Sequence, residues 1–284
     1  MDAPTGIAEQ LHPLVTRILA PNPSAFTYTG TETYLVGTHE LAVIDPGPDL
    51  PDHLAALVQA IDGRPVRAIL CTHTHRDHSP AAAPLKALTG APIVGCAPLT
   101  LDDAGPRADA AFDIDYAPDC VLADGERISG PDWTLEAVAT PGHTSNHLCY
   151  ALHEAQALFT GDHVMGWSTT VVAPPDGDMA AFMASLDRLM HRHDTVYYPA
   201  HGPAIENPRR FVRGLAGHRR QREGQILRLL REDVGDIPAM VSRMYVGLDP
   251  RLIGAAGRSV LAHLIDLETR GLAREDGERW RIAA

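Results

Sequence analysis

The sequence of 284 residues is poor in lysine and in cysteine. Lys86 is its single lysine, so arginine supplies the other basic side chains apart from histidine. The four cysteines are widely spaced and form no CxxC pair: Cys71, Cys96, Cys120 and Cys149. Because they lie mostly within apolar runs, we predict buried free thiols and no disulfides.

Long apolar runs are also missing. No segment approaches the roughly 20 residues that a membrane-spanning helix requires. The N-terminus carries Asp2 and Glu9 where a secretory signal would have basic residues. We therefore expect a cytoplasmic protein without a membrane partner. The net charge of −12 disfavours long-range attraction to nucleic acid, so we do not expect DNA binding.

The overall composition is that of a globular protein, with 45% hydrophobic and 21% charged residues. The length suits one large α/β domain, with or without a small appended domain. The sequence contains no feature that specifies an oligomeric state.

Strand and helix signals alternate in the first half of the chain. The runs YLVG and LAVID predict a hairpin that ends at a Pro-Gly turn, and LPDHLAALVQAIDG predicts a helix closed by Gly63. VRAILCT reads as a buried strand and leads directly into THTHRDH. Ser79 and Pro80 then predict the start of a helix that Gly90 closes, before the strand APIVGC.

The second half predicts short strands at VLADGERI, TLEAVAT, HLCYALH, ALFTGD and TVYYPA, and a helix at DMAAFMASLDRLMHR. Many short strands with few helices favour two sheets covered by helices over one doubly wound parallel sheet. After Pro208 a basic helical tract, two further helical stretches and a hairpin at GLAREDGERWRI follow. This order is typical of a winged helix, so we predict one domain over residues 1–208 and a second over residues 209–284.

The segment THTHRDH, residues 72–78, predicts a metal site. Alternation along the turn places His73 and His75 on one side, while Asp77 and His78 can reach a second point nearby. Imidazole and carboxylate ligands suit Zn²⁺, Mn²⁺ or Fe²⁺, and the segment itself contains no cysteine. The loop could therefore serve two cations.

Three later segments each end a predicted strand on a ligand-type residue: His143 in TPGHTSNH, Asp162 in FTGDH and His201 in YPAHGP. Each has a glycine beside it, which allows the backbone to approach a site closely. A histidine-rich loop followed by three such residues is improbable by composition alone, so we predict that all of them bind metal.

With these motifs the chain resembles the metallo-β-lactamase superfamily over roughly residues 13–207. The resemblance implies a four-layer αββα sandwich, an α+β fold, with a small C-terminal winged-helix-like domain. It also implies a dinuclear site. One metal would be held by His73, His75 and His143, and the other by Asp77, His78 and His201, with Asp162 bridging and Asp45 supporting the site from beneath. We expect two divalent ions, Zn²⁺ first and Mn²⁺ or Fe²⁺ as alternatives.

Departures from related families narrow the expected chemistry. The best-known zinc β-lactamases have a cysteine at the position of Asp162, and flavodiiron oxygen reductases have a glutamate at the position of His75. With neither substitution, the chain resembles glyoxalase II, lactonases and the RNA- or phosphoester-cleaving branches. Its winged-helix-like tail, joined through AHGPAIENP, resembles that of lactamase-β-like hydrolases, which include a single-strand-specific endoribonuclease. We expect hydrolysis of an ester, thioester, lactone or phosphodiester in a small molecule or single-stranded RNA. Glyoxalase II-type thioesterase, lactonase and weak β-lactamase activities are alternatives.

Two cations close together would lower the pKa of a shared water towards about 7, so hydroxide would be the expected nucleophile at neutral pH. Asp77 is predicted to orient that nucleophile or to carry a proton, in addition to binding metal. His163 is predicted to face the substrate, although a ring packed beneath the site is the alternative.

A different class of function, a nucleic-acid-binding regulator with a metal-sensing domain, rests on the arginine-rich stretch HRRQREGQ. Arginines also solvate the exposed face of a helix that joins two domains, and we favour that interpretation. A protein that binds metal without turnover is the third reading, and the complete ligand set disfavours it.

Overall fold

The computed structural model describes residues 4–99 and 112–283. Within these ranges, two mixed sheets pack face to face. The first sheet has seven strands in sequential order: β1 Ala8–His12, β2 Val15–Leu19, β3 Glu32–Val36, β4 Leu41–Ile44, β5 Val66–Cys71, β6 Ile93–Gly95 and β7 Cys120–Val121. Strands β1 to β4 are antiparallel and β4 to β7 are parallel.

The second sheet has five strands among the described residues, in the order β12-β11-β10-β9-β8. They are β8 Arg127–Ser129, β9 Thr134–Ala139, β10 Leu148–Leu152, β11 Ala157–Gly161 and β12 Val196–Pro199. Only the pairing of β11 with β12 is parallel. A buried core joins the two sheets, with Tyr34 and Ile69 from the first and Tyr150 and Phe159 from the second.

Helices cover the sandwich on both sides. Helices α1 Pro51–Ile61 and α2 Ala82–Thr89 pack on the first sheet, and α3 Met179–Met190 packs on the second. The predicted αββα sandwich is thereby confirmed. No helix in the described parts of the chain combines the length and apolarity that crossing a bilayer requires.

The C-terminal elements form a separate core. Helices α4 Pro208–Arg231, α5 Ile237–Met244 and α6 Ile253–Thr269 precede a hairpin of β13 Ala273–Asp276 and β14 Arg279–Ile282. This arrangement confirms the predicted winged-helix-like domain. The N-terminal half of α4 packs with α3 through Val212 and Ala216, whereas Ile226 and Leu229 belong to the C-terminal core. The boundary at residue 208 remains a prediction.

Three local features differ from the sequence prediction. Strands β1 and β2 were not predicted. Helix α2 begins at Ala82 rather than at Ser79, whose hydroxyl donates to Asp113 Oδ2 instead of capping the helix. The run VLADGERI, predicted as one strand, divides into β7 and β8, which belong to different sheets.

Candidate metal centre

The candidate ligands follow the ends of four strands. The loop after β5 carries His73, His75, Asp77 and His78, while His143, Asp162 and His201 follow β9, β11 and β12. Strands of both sheets therefore deliver polar side chains to one edge of the sandwich. The structure brings together all seven residues that the sequence motifs singled out, in two groups.

The first group contains His73, His75, His143 and Asp162, all buried. His75 Nδ1 lies 2.9 Å from His73 Nε2 and 3.1 Å from His143 Nε2. Asp162 Oδ2 lies 3.5 Å from His143 Nε2. One atom from each side chain thus converges on a common point, within 4.8 Å of the others.

The second group contains Asp77, His78 and His201. Asp77 Oδ2 lies 3.1 Å from His201 Nε2 and 3.3 Å from His78 Nε2. The other oxygen of Asp162, Oδ1, lies 3.2 Å from His201 Nε2 and 3.6 Å from His78 Nε2. The two carboxylate oxygens of Asp162 therefore face different groups.

These separations fit divalent cations. In a tetrahedral zinc site with bonds of about 2.0–2.1 Å, the ligand atoms lie about 3.3 Å from one another. His78 Nε2 and Asp162 Oδ1 are buried close to other ligand atoms, yet neither makes a hydrogen bond of acceptable geometry among the described residues. This is costly unless a cation compensates them. The nitrogen and oxygen ligands suit Zn²⁺, Mn²⁺ or Fe²⁺.

Asp45 supports two of the ligand histidines from below. Its carboxylate accepts hydrogen bonds from the Thr72 amide at 2.7 Å and from the Thr72 hydroxyl at 2.8 Å, and His78 Nδ1 lies 3.0 Å away. Thr72 Oγ1 also lies 3.0 Å from His73 Nδ1. If Nδ1 of each ring carries the proton, Nε2 of His73 and of His78 presents its lone pair to the two groups.

The rims of the site orient the other ligands. His143 Nδ1 donates to the Val171 carbonyl oxygen at 2.7 Å, and His201 Nδ1 donates to the Gly30 carbonyl oxygen at 3.1 Å. The Thr31 hydroxyl donates to Asp77 Oδ2 at 3.3 Å. Segments distant in sequence thus determine the direction in which each ligand atom points.

His147 belongs to this support as well, and sequence reasoning missed it. The Asp162 amide donates to His147 Nε2 at 3.2 Å, while His147 Nδ1 lies 2.9 Å from Thr140 Oγ1. A Cβ at Gly161 would lie 2.7 Å from His147 Nε2, so only glycine fits there. The available signal was its position four residues after His143 in TPGHTSNH.

Burial and neighbouring charge separate the histidines into two classes. Burial lowers the pKa of His73 well below its usual value and that of His75 to about 3, with the nearby imidazoles adding to the effect. Burial also opposes charge on His78 and His201, but the carboxylates of Asp77 and Asp162 raise the pKa of both. His73 and His75 therefore present neutral imidazoles, the form that binds metal.

The structure places His163 in a fully buried position. Its ring is fully buried and lies 4.6 Å from the ring of Phe182, measured between centroids. Burial lowers the pKa of His163 to about 3. The packed ring agrees with the alternative stated above, and the substrate-facing role stays a prediction.

The sequence was compared with known families and structures. Residues 27–201 match the metallo-β-lactamase superfamily, and residues 237–280 match the β-lactamase-associated winged helix domain. An atrochrysone carboxyl ACP thioesterase from Cryptosporiopsis sp. is 33% identical over 231 residues, which is 79% of this chain. The aligned part is 65% of that relative's own length.

Two solved structures are also similar. A β-lactamase domain protein from Burkholderia ambifaria has a TM-score of 0.81 and 21% identity, covering 98% of this chain and 95% of its own. A protein solved in a di-iron-bound form has 30% identity and a TM-score of 0.52, covering 74% of this chain and 96% of its own.

Proposed function

We propose that this chain, which belongs to the metallo-β-lactamase superfamily, is a dinuclear hydrolase of acyl thioesters. One relative is named as an ACP thioesterase and another as a lactamase-like protein, which supports a metal-dependent hydrolase of that superfamily.

The position of Asp162 carries the dinuclear part of the proposal. Its Oδ2 lies 3.5 Å from His143 Nε2, and its Oδ1 lies 3.2 Å from His201 Nε2. A carboxylate that faces two ligand groups can bridge two cations. The similar protein that was solved with two irons supports the same count.

The ligand residues would have different roles in the reaction. Divalent cations held by the two groups would polarise the thioester carbonyl and lower the pKa of water towards about 7. The side chain of Asp77 is 26% exposed, compared with 11% for Asp162. The side chains of His78, His143 and His201 are 6% exposed or less. Asp77 is thus the ligand best placed to orient a water molecule or to receive its proton.

The thioester substrate is supported by the relative named as an ACP thioesterase. Thiolate is also a better leaving group than alkoxide, so a thioester depends less on a proton donor for its leaving group. Zn²⁺ is the expected metal, with Mn²⁺ or Fe²⁺ as alternatives.

A substrate panel with metal-loaded protein tests the proposal. We expect thioesters to be hydrolysed faster than lactones, β-lactams, phosphodiesters and single-stranded RNA, and we expect two metal ions per chain by elemental analysis. A His75→Ala variant should lose turnover and metal while retaining its circular dichroism spectrum. Saturation at one ion per chain, or thioester turnover that survives His75→Ala, would refute it.

A further inference from the structure

A cavity of about 270 Å³ lies between the metal-binding domain and the C-terminal domain. The segment of residues 165–171, which follows Asp162, forms one wall. Helix α4 contributes Arg219 and Arg222 to the opposite wall, with Tyr245 beside them. None of the described residues that line the cavity is an aspartate or a glutamate.

Arg219 is an unusual residue to find in such a wall, because it is only 4% exposed. Its guanidinium donates to the Thr170 carbonyl oxygen and lies 5.2 Å from the centre of the Phe182 ring. No carboxylate forms an ion pair with it within the described ranges. Burial lowers the pKa of Arg219 to about 10, so the group still carries its charge at neutral pH.

Arg222 adds a second charge to the cavity. Its guanidinium donates to Gln225 Oε1 at 3.0 Å and to the Met244 carbonyl oxygen at 2.8 Å, and lies 4.2 Å from the centre of the Tyr245 ring. It too has no carboxylate partner in the described part of the chain. Two guanidinium groups without a counter-ion are unfavourable in a partly buried wall, and a bound anion would compensate them.

The cavity shares its wall with the metal centre. Arg219 donates to the carbonyl of Thr170, and His143 donates to the carbonyl of the next residue, Val171. Trp167 lines the same wall, and its Nε1 is buried without a hydrogen-bond partner among the residues that the structure describes. A donor and two cationic groups therefore line a cavity whose wall is hydrogen-bonded to one candidate metal ligand, His143.

We propose that this cavity binds the phosphate of a phosphopantetheine arm, so that the substrate is a thioester carried on such an arm. Arginine's planar group of donors matches the oxygens of a phosphate and forms short charge-assisted hydrogen bonds. The identification of the arm rests on the proposed thioesterase function, whereas the binding of a phosphate rests on the cavity alone.

The test is binding of phosphopantetheine and of pantetheine to the metal-free full-length protein, measured by isothermal titration calorimetry. We expect phosphopantetheine to bind at least about 10-fold more tightly than pantetheine, and Arg222→Gln to abolish that difference. Arg222→Lys keeps the charge and should retain part of it. Arg220→Gln, an exposed neighbour outside the cavity, is the matched control and should leave the difference intact.

A second measurement uses metal-loaded protein and the same acyl group on the two carriers. The ratio of kcat/KM for acyl-phosphopantetheine to that for acyl-pantetheine should fall towards one in Arg222→Gln. Equal binding of both carriers by the wild type would overturn the inference, even if thioesters are hydrolysed. Failure of all thioesters to react, with phosphate-dependent binding intact, would overturn the proposed function and the assignment to a thioester-carrying arm, and would leave the phosphate site standing. Single-stranded RNA that binds more tightly than phosphopantetheine in an Arg222-dependent way would also overturn the assignment to a phosphopantetheine arm.

Discussion

Asp45 adopts a positive φ of 47° and is nearly completely buried. Its carboxylate contacts Thr72 twice and His78 once, so a single side chain fixes the start of the ligand loop and the direction of one ligand ring. Few residues other than glycine, asparagine and aspartate adopt this backbone conformation readily. The backbone conformation at residue 45 and the hydrogen bonds of its side chain therefore both favour the same few residue types.

Asp45→Asn should separate these two requirements. Asparagine tolerates the positive φ but has one amide oxygen in place of two carboxylate oxygens. It therefore cannot keep both the bond from the Thr72 amide at Oδ1 and the bonds from His78 and the Thr72 hydroxyl at Oδ2. We expect metal affinity to fall about 10- to 100-fold, as is usual when a partner of a ligating histidine is removed. Chelator competition measures this fall. An affinity within twofold of the wild type would show that Asp45 does not orient the ligand.

The metal ligands could be predicted from the sequence because four of them cluster in THTHRDH and because each of the others ends a predicted strand. The residues that form hydrogen bonds to these ligands were harder to predict. Asp45 was identified only by resemblance, and the Val171 and Gly30 carbonyls have no side-chain signal at all. His147 was missed because its contact with Asp162 spans 15 residues and depends on how β10 and β11 pair.

Helix α4 extends over 24 residues and contains glycines where helices seldom need them. A Cβ at Gly217 would meet nothing within 4 Å, whereas a Cβ at Gly142 would lie 2.3 Å from the backbone of Phe182. Gly142 also has a φ of 137°. The first glycine is therefore replaceable, and the second is required by both conformation and space.

Gly217→Ala should stabilise the protein by about 0.5–1 kcal/mol, because alanine loses less conformational freedom than glycine on forming a helix. Gly142→Ala should destabilise it by about 1–3 kcal/mol through backbone strain and a steric clash. Denaturant unfolding of both variants under the same conditions measures the two effects. A destabilised Gly217→Ala would mean that this part of α4 contacts more than the structure shows.

Most helices and strands could be predicted from local patterns, since hydrophobic periodicity and Gly or Pro signals mark their ends. The exceptions depended on distant partners. Ser79 has the residue type of a helix cap, yet Asp113 accepts its hydroxyl proton. The division of VLADGERI between two sheets follows from β7 pairing with β6 and β8 pairing with β9, which no local pattern encodes.

The two domains meet around buried histidines, which should make the stability of the whole protein sensitive to acid. Burial, with the positive charge of Arg219 next in size, lowers the pKa of His263 to about 3. In the unfolded chain a histidine has a pKa of about 6.5. The contribution of the neutral ring to the free energy of unfolding is therefore complete above about pH 6.5, and it is lost as the pH falls towards 3.

His263→Gln should weaken this pH dependence, because glutamine does not titrate. Between pH 7 and pH 5 the wild type should lose about 2 kcal/mol more unfolding free energy than the variant. Urea unfolding of the metal-free proteins at both pH values gives this difference. Parallel losses in the two proteins would show that His263 does not titrate with the predicted shift.

Truncation tests how far the C-terminal elements support the metal-binding domain. A chain that ends at residue 207 lacks Val212, Ala216 and Arg219, which pack against α3 or bind Thr170. We expect it to bind a hydrophobic dye, to melt at a lower temperature and to lose turnover. A chain that ends at residue 232 keeps α4 and should be less affected. A fully active, monomeric chain ending at 207 would contradict this expectation.

The polypeptide passes from one core to the other inside helix α4, so the two walls of the domain junction are joined by continuous helix and not by a flexible linker. A ligand at that junction meets walls whose spacing is already set, and the protein does not have to close around it. Binding therefore does not include the entropy loss of bringing two mobile domains together, because that loss has already occurred during folding. The apparent dissociation constant at this cavity should then equal its intrinsic value, because no fraction of the protein is in an open conformation that cannot bind.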